Sequence, residues 1–225
     1  MTRKSLYSLL NQHKWFFIPF LLLISIAFYL ELTIPKAELF LIINHYHSGT
    51  LDTFFKSITY IGDGITMIVF ALFLSAFNYR YGLATLLAYA YTSIFAQSFK
   101  FLFHAPRPVK YFEELHQPIR TISGYTIHQW YSFPSGHSVS AFSLAVIVAW
   151  LLPATKKKFA WTLVPIAVLT AFSRVYLAQH FIQDIVAGAI LGVVLTFQLI
   201  YMLENSNWFY SERLDGGYLK AYKKQ

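Results

Sequence analysis

Three clusters of ionisable residues interrupt an otherwise apolar chain. Lys100 is followed, after six residues, by Arg107-Pro108; Pro134-Ser135-Gly136-His137-Ser138 comes next; and Ser173-Arg174 is followed after five residues by His180 and, after three more, by Asp184. Lys100 and Arg107 are fixed cations suited to holding an anion. A proline opening a helix leaves the N–H groups of Ser135, Gly136 and His137 pointing out along the positive end of the helix dipole, a ready cradle for phosphate. Gly136 permits close backbone approach there, and His137 falls beside the bound anion. His180 and Asp184, four apart, share one face if they lie on a helix. A carboxylate bonded to one imidazole nitrogen fixes the tautomer, leaves the other nitrogen free to attack, and stabilises the cation formed afterwards.

The elements that must position these residues are membrane helices. Of 225 residues, 56% are hydrophobic, 19% aromatic and 12% charged, far more apolar than an average soluble domain. A helix crossing about 30 Å of hydrocarbon needs roughly 20 mostly apolar residues. Such runs occur at Trp15 to Leu32, Tyr81 to Phe103, Phe133 to Leu152, Phe159 to Leu177 and Phe181 to Met202. A weaker one, about Ile58 to Phe77, carries Gly62-Asp63-Gly64 near its start and completes an expected set of six. The fold expected is all-α: one polytopic domain over residues 1–225, a bundle of six transmembrane helices with the motif core at 100–184. Arg3, Lys4 and Lys14 precede the first run as in a secretory signal. That reading is set aside because the run is long and no small-x-small cleavage site follows.

The net charge of +8 does not point to nucleic acid once its placement is considered. With the N-terminus inside, Arg3, Lys4, Lys14, Arg80, Lys156, Lys157, Lys158, Arg213, Lys220, Lys223 and Lys224 face the cytoplasm. Lys36, Lys56, Lys100, Arg107, Lys110, Arg120 and Arg174 face outward, and this positive-inside bias puts both termini in the cytoplasm. All three clusters then lie on the outer side. With no cysteine, disulfides and thiolate metal sites or nucleophiles are excluded. Asn78 to Arg80 and Pro153 to Lys158 read as short inner turns; Thr33 to Ser57 and His104 to Ser132 read as longer outer loops. His45 and His47, without a carboxylate or cysteine to complete a set, are read as interfacial polar residues rather than metal ligands. Trp15, Trp130, Trp150, Trp161 and Trp208 lie near segment ends, as interfacial anchors do.

Lys100 with Arg107-Pro108, Pro134-Ser135-Gly136-His137, and Ser173-Arg174 with His180 and Asp184 together resemble the three-part signature of the type 2 phosphatidic acid phosphatases, with no motif position substituted. The resemblance implies an integral membrane enzyme that hydrolyses a lipid phosphate monoester or diphosphate through a phosphohistidine, without metal or other cofactor. In the compatible assignment of roles, His180 attacks phosphorus, His137 protonates the leaving oxygen and later activates water, and Asp184 orients His180. Lys100, Arg107, Arg174, the Ser135 hydroxyl and the Ser135 and Gly136 amides neutralise the equatorial oxygens. Undecaprenyl diphosphate is the favoured substrate, with phosphatidylglycerol phosphate, phosphatidic acid and lipid A 1-phosphate as the other candidates. The expected location is a bacterial inner membrane with the site on the periplasmic side. The expected partners are the bilayer and the lipid substrate, with no nucleic acid and no obligatory protein.

Each cluster also has a bland reading. Asp184 can be a first-turn acid favoured by the helix dipole by about 0.3–1 kcal/mol, His137 a helix cap, and Lys100 a snorkelling lysine. Three such coincidences at one depth are harder to accept than one site. Gly188 and Gly192 continue the Asp184 row at intervals of four and read as a helix-packing face. His104, His116 and His128 match no motif position; Phe112, Trp130 and Tyr131 are read as lining a path for the lipid tail. A transporter would carry a second set of ionisable groups deeper in the membrane, which the sequence lacks. A non-catalytic lipid-binding relative would not keep every catalytic position filled. The soluble vanadium haloperoxidases share similar phosphate-site motifs, but six apolar runs argue against that relationship.

Overall fold

A computed structural model describes residues 4–122 and 125–219; Arg3, Lys220, Lys223 and Lys224 lie outside these described residues. In chain order the helices are α1 (Leu6–Gln12), α2 (Lys14–Thr33), α3 (Lys36–His45), α4 (Gly49–Ile58), α5 (Gly64–Phe77), α6 (Tyr79–Phe103), α7 (Pro108–Glu114), α8 (Gly136–Leu151), α9 (Leu163–Tyr176) and α10 (Ile182–Glu204). Among the described residues, the sole β feature is an isolated bridge between Pro106 and Trp130. The all-α expectation is met.

Local chemistry sets several boundaries. The Asp63 side chain accepts the Ile65 N–H to start α5, Asn78 accepts the Arg80 N–H to start α6, and Ser135 accepts the Ser138 N–H to start α8. Each supplies an acceptor for one of the orphan donors of a first turn. α6 ends at His104, whose left-handed backbone (φ 40°) is the C-cap, a termination otherwise favoured by glycine.

Two expected loops are largely helical. Thr33 to Ser57 folds into α3 and most of α4, and the segment between His104 and Ser132 contains α7. The expected inner turn at Pro153 to Lys158 opens a 3-10 helix, Ala154–Thr162, that runs into α9. Lys157 there is buried, not a solvated charge, and its Nζ donates to the carbonyls of Ala149 and Trp150 at 2.9 Å. A cation at the C-terminal carbonyls of α8 complements the negative end of that helix.

By length and apolarity three segments can cross a membrane: Lys14–Thr33, Ala154–Tyr176 and Ile182–Glu204. A fourth is added if Gly49–Gly62 and Gly64–Phe77, bent by 55°, are taken as one broken span. α8 has 16 residues, about 24 Å of helix, so it is short for a complete crossing. It is instead the central post, with ten of those residues buried. α2 is peripheral, exposing Ile18, Leu21, Leu22 and Leu32, as a helix facing lipid does.

The expected glycine face is confirmed. A Cβ at Gly188 would stand 2.5 Å from the Ser135 carbonyl oxygen, and one at Gly192 would stand 2.5 Å from that of Val139. The two glycines therefore let α10 lie directly on the backbone of α8, the small-residue packing that serves helices in lipid. Thr196 donates to the Ser143 hydroxyl at 2.9 Å across the same seam. Phe112 departs from expectation: it is buried against Phe40, at a centroid distance of 5.2 Å, and Phe181, and so belongs to the core.

Candidate active site

The three sequence clusters meet at one end of the bundle, where the N-termini of α8 and α10 and the C-termini of α6 and α9 converge. The α8 and α10 ends are joined by a backbone bond from the Ser135 N–H to the Asp184 carbonyl, 2.9 Å. That bond corrects one expectation. The Ser135 amide is committed to holding two helices together and is not free for an anion. The amides of Gly136 and His137 meet no protein acceptor among the described residues, and a Cβ on Gly136 would find nothing within 4 Å. The open end of α8 is therefore at Gly136, with His137 half-buried beside it.

His180 and Asp184 also meet, but not as successive turns of one helix. α10 begins at Ile182, leaving His180 in the short connection from α9. Asp184 is the third helical residue, and its Oδ2 accepts the N–H of the N-cap, Phe181, at 2.9 Å. The same oxygen lies 3.4 Å from His180 Nδ1 and accepts a short hydrogen bond from the Ser132 hydroxyl. The Ser132 oxygen is itself 3.4 Å from His180 Nδ1. Ser132, His180 and Asp184 are all buried. Nδ1 is thus oriented by a carboxylate and a hydroxyl, which leaves Nε2 as the nitrogen without a hydrogen-bond partner among the described residues.

Those cations are held by neutral oxygens. Lys100 Nζ donates to the Tyr131 carbonyl at 2.7 Å. Arg107, the N-cap of α7, donates from Nε to the Trp130 carbonyl at 2.9 Å and from Nη1 to Gln179 Oε1 at 3.0 Å. Arg174, in the last turn of α9, donates from Nη1 to Thr59 at 3.0 Å and to the Tyr125 hydroxyl, while its Nε is buried with no partner among the described residues. No carboxylate forms a salt bridge with any of the three among the described residues. Burial, and next the Arg174 charge, draw the Arg107 guanidinium down to about 10. The group remains charged at pH 7. Burial first, then the charges of Arg107, Arg174 and Lys100, hold the His180 imidazole well below its usual range. His180 is therefore neutral at pH 7 and keeps the lone pair a nucleophile needs.

Lys100 and Arg107 line a cavity of about 290 Å³ together with Gln97, His128, Trp130 and Tyr131. Trp130 and Tyr131, expected to line a path for the lipid tail, line this cavity beside the two cations, and His128, assigned no role from the motifs, shares that wall. Ser132, Gln179, Tyr125 and Thr59 were not identified from sequence. Ser132 lies only two residues before Pro134, but a lone serine in a loop carries no periodic or motif signal. Among the described residues no group of three His, Asp or Glu side chains is gathered as for a metal ion.

The chain was compared with known proteins. Residues 79–208 match the family model described as the PAP2 superfamily. A lipid A 4'-phosphatase of Porphyromonas gingivalis is 26% identical over 182 residues, covering 77% of this chain and 75% of that protein. An undecaprenyl-diphosphatase of Sulfolobus acidocaldarius is 26% identical over 194 residues, covering 81% and 88%. Among solved structures, Aquifex aeolicus LpxE superposes with a TM-score of 0.62 at 28% identity, over 72% of this chain and 93% of that one. The transmembrane PAP2-type phosphatidylglycerolphosphate phosphatase of Bacillus subtilis shares the fold, with a TM-score of 0.61 at 22% identity over 88% and 96%. The matched segment takes in all three clusters and more than half of the residues, and on that ground the chain belongs to the PAP2 superfamily.

Proposed function

We propose that this integral membrane protein is a lipid phosphatase that works through a phosphohistidine. The observation that carries the reading is a neutral, buried imidazole, fixed at Nδ1 by Asp184 and Ser132, set among three cations that lack carboxylate partners among the described residues. A phosphate ester supplies the missing negative charge. Lys100, Arg107, Arg174 and the Gly136 and His137 amides bind its nonbridging oxygens, and the unpartnered Arg174 Nε is a donor still to be used. His180 Nε2 attacks phosphorus; the P–N bond forms, the P–O bond to the lipid breaks, and His137, protonated once the phosphate anion is bound beside it, gives that proton to the departing oxygen. Water, deprotonated by His137, then attacks phosphorus, breaks the P–N bond and releases inorganic phosphate.

No step calls for a metal ion, because fixed cations and a helix terminus stabilise the charge of the transition state. Phosphate release is expected to be unchanged in excess chelator; a loss restored by magnesium refutes the metal-free mechanism. The remaining features of the proposal are a single domain over residues 1–225, six spans, both termini in the cytoplasm and the site on the outer face of a bacterial inner membrane. Substrate is expected to be one of four lipids: undecaprenyl diphosphate, the favoured one, or phosphatidylglycerol phosphate, phosphatidic acid or lipid A 1-phosphate. The named relatives include an undecaprenyl-diphosphatase and a lipid A phosphatase, so the panel must be run in full. Phosphate release from all four in mixed micelles is the test, and a preference for a water-soluble phosphate ester over every one of them ends the lipid assignment.

A further inference from the structure

On the flank of the bundle, away from the cavity lined by Lys100 and Arg107, two cavities adjoin. The larger, about 390 Å³, lies between α2, α3, α8, α9 and α10 and is almost wholly apolar; Ala27, Leu30, Phe172 and Ala189 are among its walls. The smaller, about 210 Å³, sits at the C-terminal end of α2 and is lined by Glu31, Lys36 and Gln183 among apolar neighbours. Both include Leu39 and Ile182 in their walls. A polar pocket and an apolar one thus stand side by side about Leu39 and Ile182 and together form the groove, in a chain whose α2 is long and apolar enough to cross a membrane.

The polar end is chemically incomplete. Glu31 Oε1 is buried with no hydrogen-bond partner among the described residues. Lys36 has no carboxylate within salt-bridge range among them; its Nζ stands over the rings of Tyr111 and Phe181, at 4.7 and 5.1 Å from their centroids. A buried carboxylate oxygen asks for a donor, and an ammonium held on aromatic faces is free to meet an anion. The two groups, one acidic and one basic, share one cavity and form no salt bridge with each other.

We propose that this groove seats a membrane phospholipid with a primary amine in its headgroup, separate from the substrate. The phosphate meets Lys36, the ammonium donates to Glu31, and one acyl chain fills the apolar body. The donor Glu31 lacks selects that occupant, since a glycerol headgroup offers it only a neutral hydroxyl and a trimethylated one has no N–H to give it. The Phe181 ring under Lys36 belongs to the residue whose N–H holds Asp184, so occupancy braces the backbone beside His180.

The experiment is native mass spectrometry of the detergent-purified protein with dioleoyl phosphatidylethanolamine, phosphatidylcholine or phosphatidylglycerol. The ethanolamine lipid is expected to be retained roughly tenfold or more over the other two, the scale of one charge-assisted hydrogen bond. Glu31→Gln, nearly isosteric, removes that preference, and Ala27→Phe blocks the chain slot and removes retention altogether. Equal retention of the three headgroups by the wild type, or unchanged preference in Glu31→Gln, overturns the proposal. So does stoichiometric displacement of the ethanolamine lipid by phosphatidic acid, since the groove then serves the substrate. Glu31→Gln decides the matter if Ala27→Phe does not fold. Binding is read without turnover, so an inactive protein that still selects the ethanolamine lipid refutes the phosphatase and leaves this inference standing.

Discussion

The two ends of the bundle treat positive charge differently. At the end that holds Lys4 and Glu204, two cations meet carboxylates and a third caps a helix: Lys4 lies 2.7 Å from Glu204, Arg80 contacts Asp215 while its Nε donates to the Phe209 carbonyl, and Lys157 closes the carbonyl end of α8. At the other end Lys100, Arg107 and Arg174 converge without a carboxylate partner among the described residues, held by carbonyls, an amide and hydroxyls. A neutral oxygen orients a cation without cancelling its charge. Paired cations fasten the chain to itself, and unpaired ones leave a field that only an anion from outside completes. Arg120 shows that depth is not the criterion. It lies near the motif cations, yet it is paired with Asp52, whose other oxygen accepts the Tyr176 hydroxyl at 2.6 Å.

The largest effect expected is at the proposed nucleophile. His180→Ala should lower kcat for phosphate release by roughly 10⁴-fold or more, as loss of a nucleophile does elsewhere; an active variant ends the assignment. Next come the unpaired cations. Arg174→Ala should cost about 10²–10³ in kcat/KM, the scale of removing one transition-state donor, whereas Arg80→Ala should leave kcat/KM within a few-fold. Equal losses at the two arginines would erase the contrast between the ends of the bundle.

Titration sharpens the comparison. Because burial and the unpaired cations hold His180 below its usual range, the acid limb of kcat/KM should lie below about pH 6.5, the value of a free histidine. The sign for stability follows. The unfolded chain takes up the proton first as pH falls, so the contribution of neutral His180 is full above about 6.5 and is lost as pH drops through the lower folded value. An acid limb at or above 6.5 contradicts the arrangement of cations.

Ser132→Ala should lower kcat about tenfold and shift the pH profile, since Asp184 loses a donor and His180 a neighbour. A loss of thermal stability with unchanged kcat makes Ser132 only a structural clamp. The smallest effect is reserved for Arg120→Ala, a partly exposed pair worth about 0–1 kcal/mol, read as a small drop in melting temperature.

Much of the site was legible because its residues sit at helix ends, where spacing translates directly into position. Ser135 caps α8, as a strong local signal should, and Gly136 and His137 begin it, but Pro134 stands just before the cap and not in the first helical turn where it was expected. The row through Asp184, Gly188 and Gly192 is also local, and it does face α8. What spacing misjudged is instructive. His180 and Asp184 meet because the chain turns sharply between α9 and α10, with Ala178 at φ 55°, and not because one helix carries both. Ser132, Gln179 and Tyr125 reach their partners only after the segment between α7 and α8 has folded back over the bundle.

By itself, then, the sequence determined the all-α character and the family, and it singled out the groups proposed to bind and attack phosphate. Those properties reside in apolar length, cap chemistry and short-range spacing, which neighbours along the chain fix. The tertiary structure decided which cations stay unpaired, which backbone amide is spent on joining α8 to α10, and which hydroxyl completes the imidazole's support. Each of these is a contact between residues far apart in the chain, settled by the packing of α10 on α8 and by the oxygens that packing brings within reach.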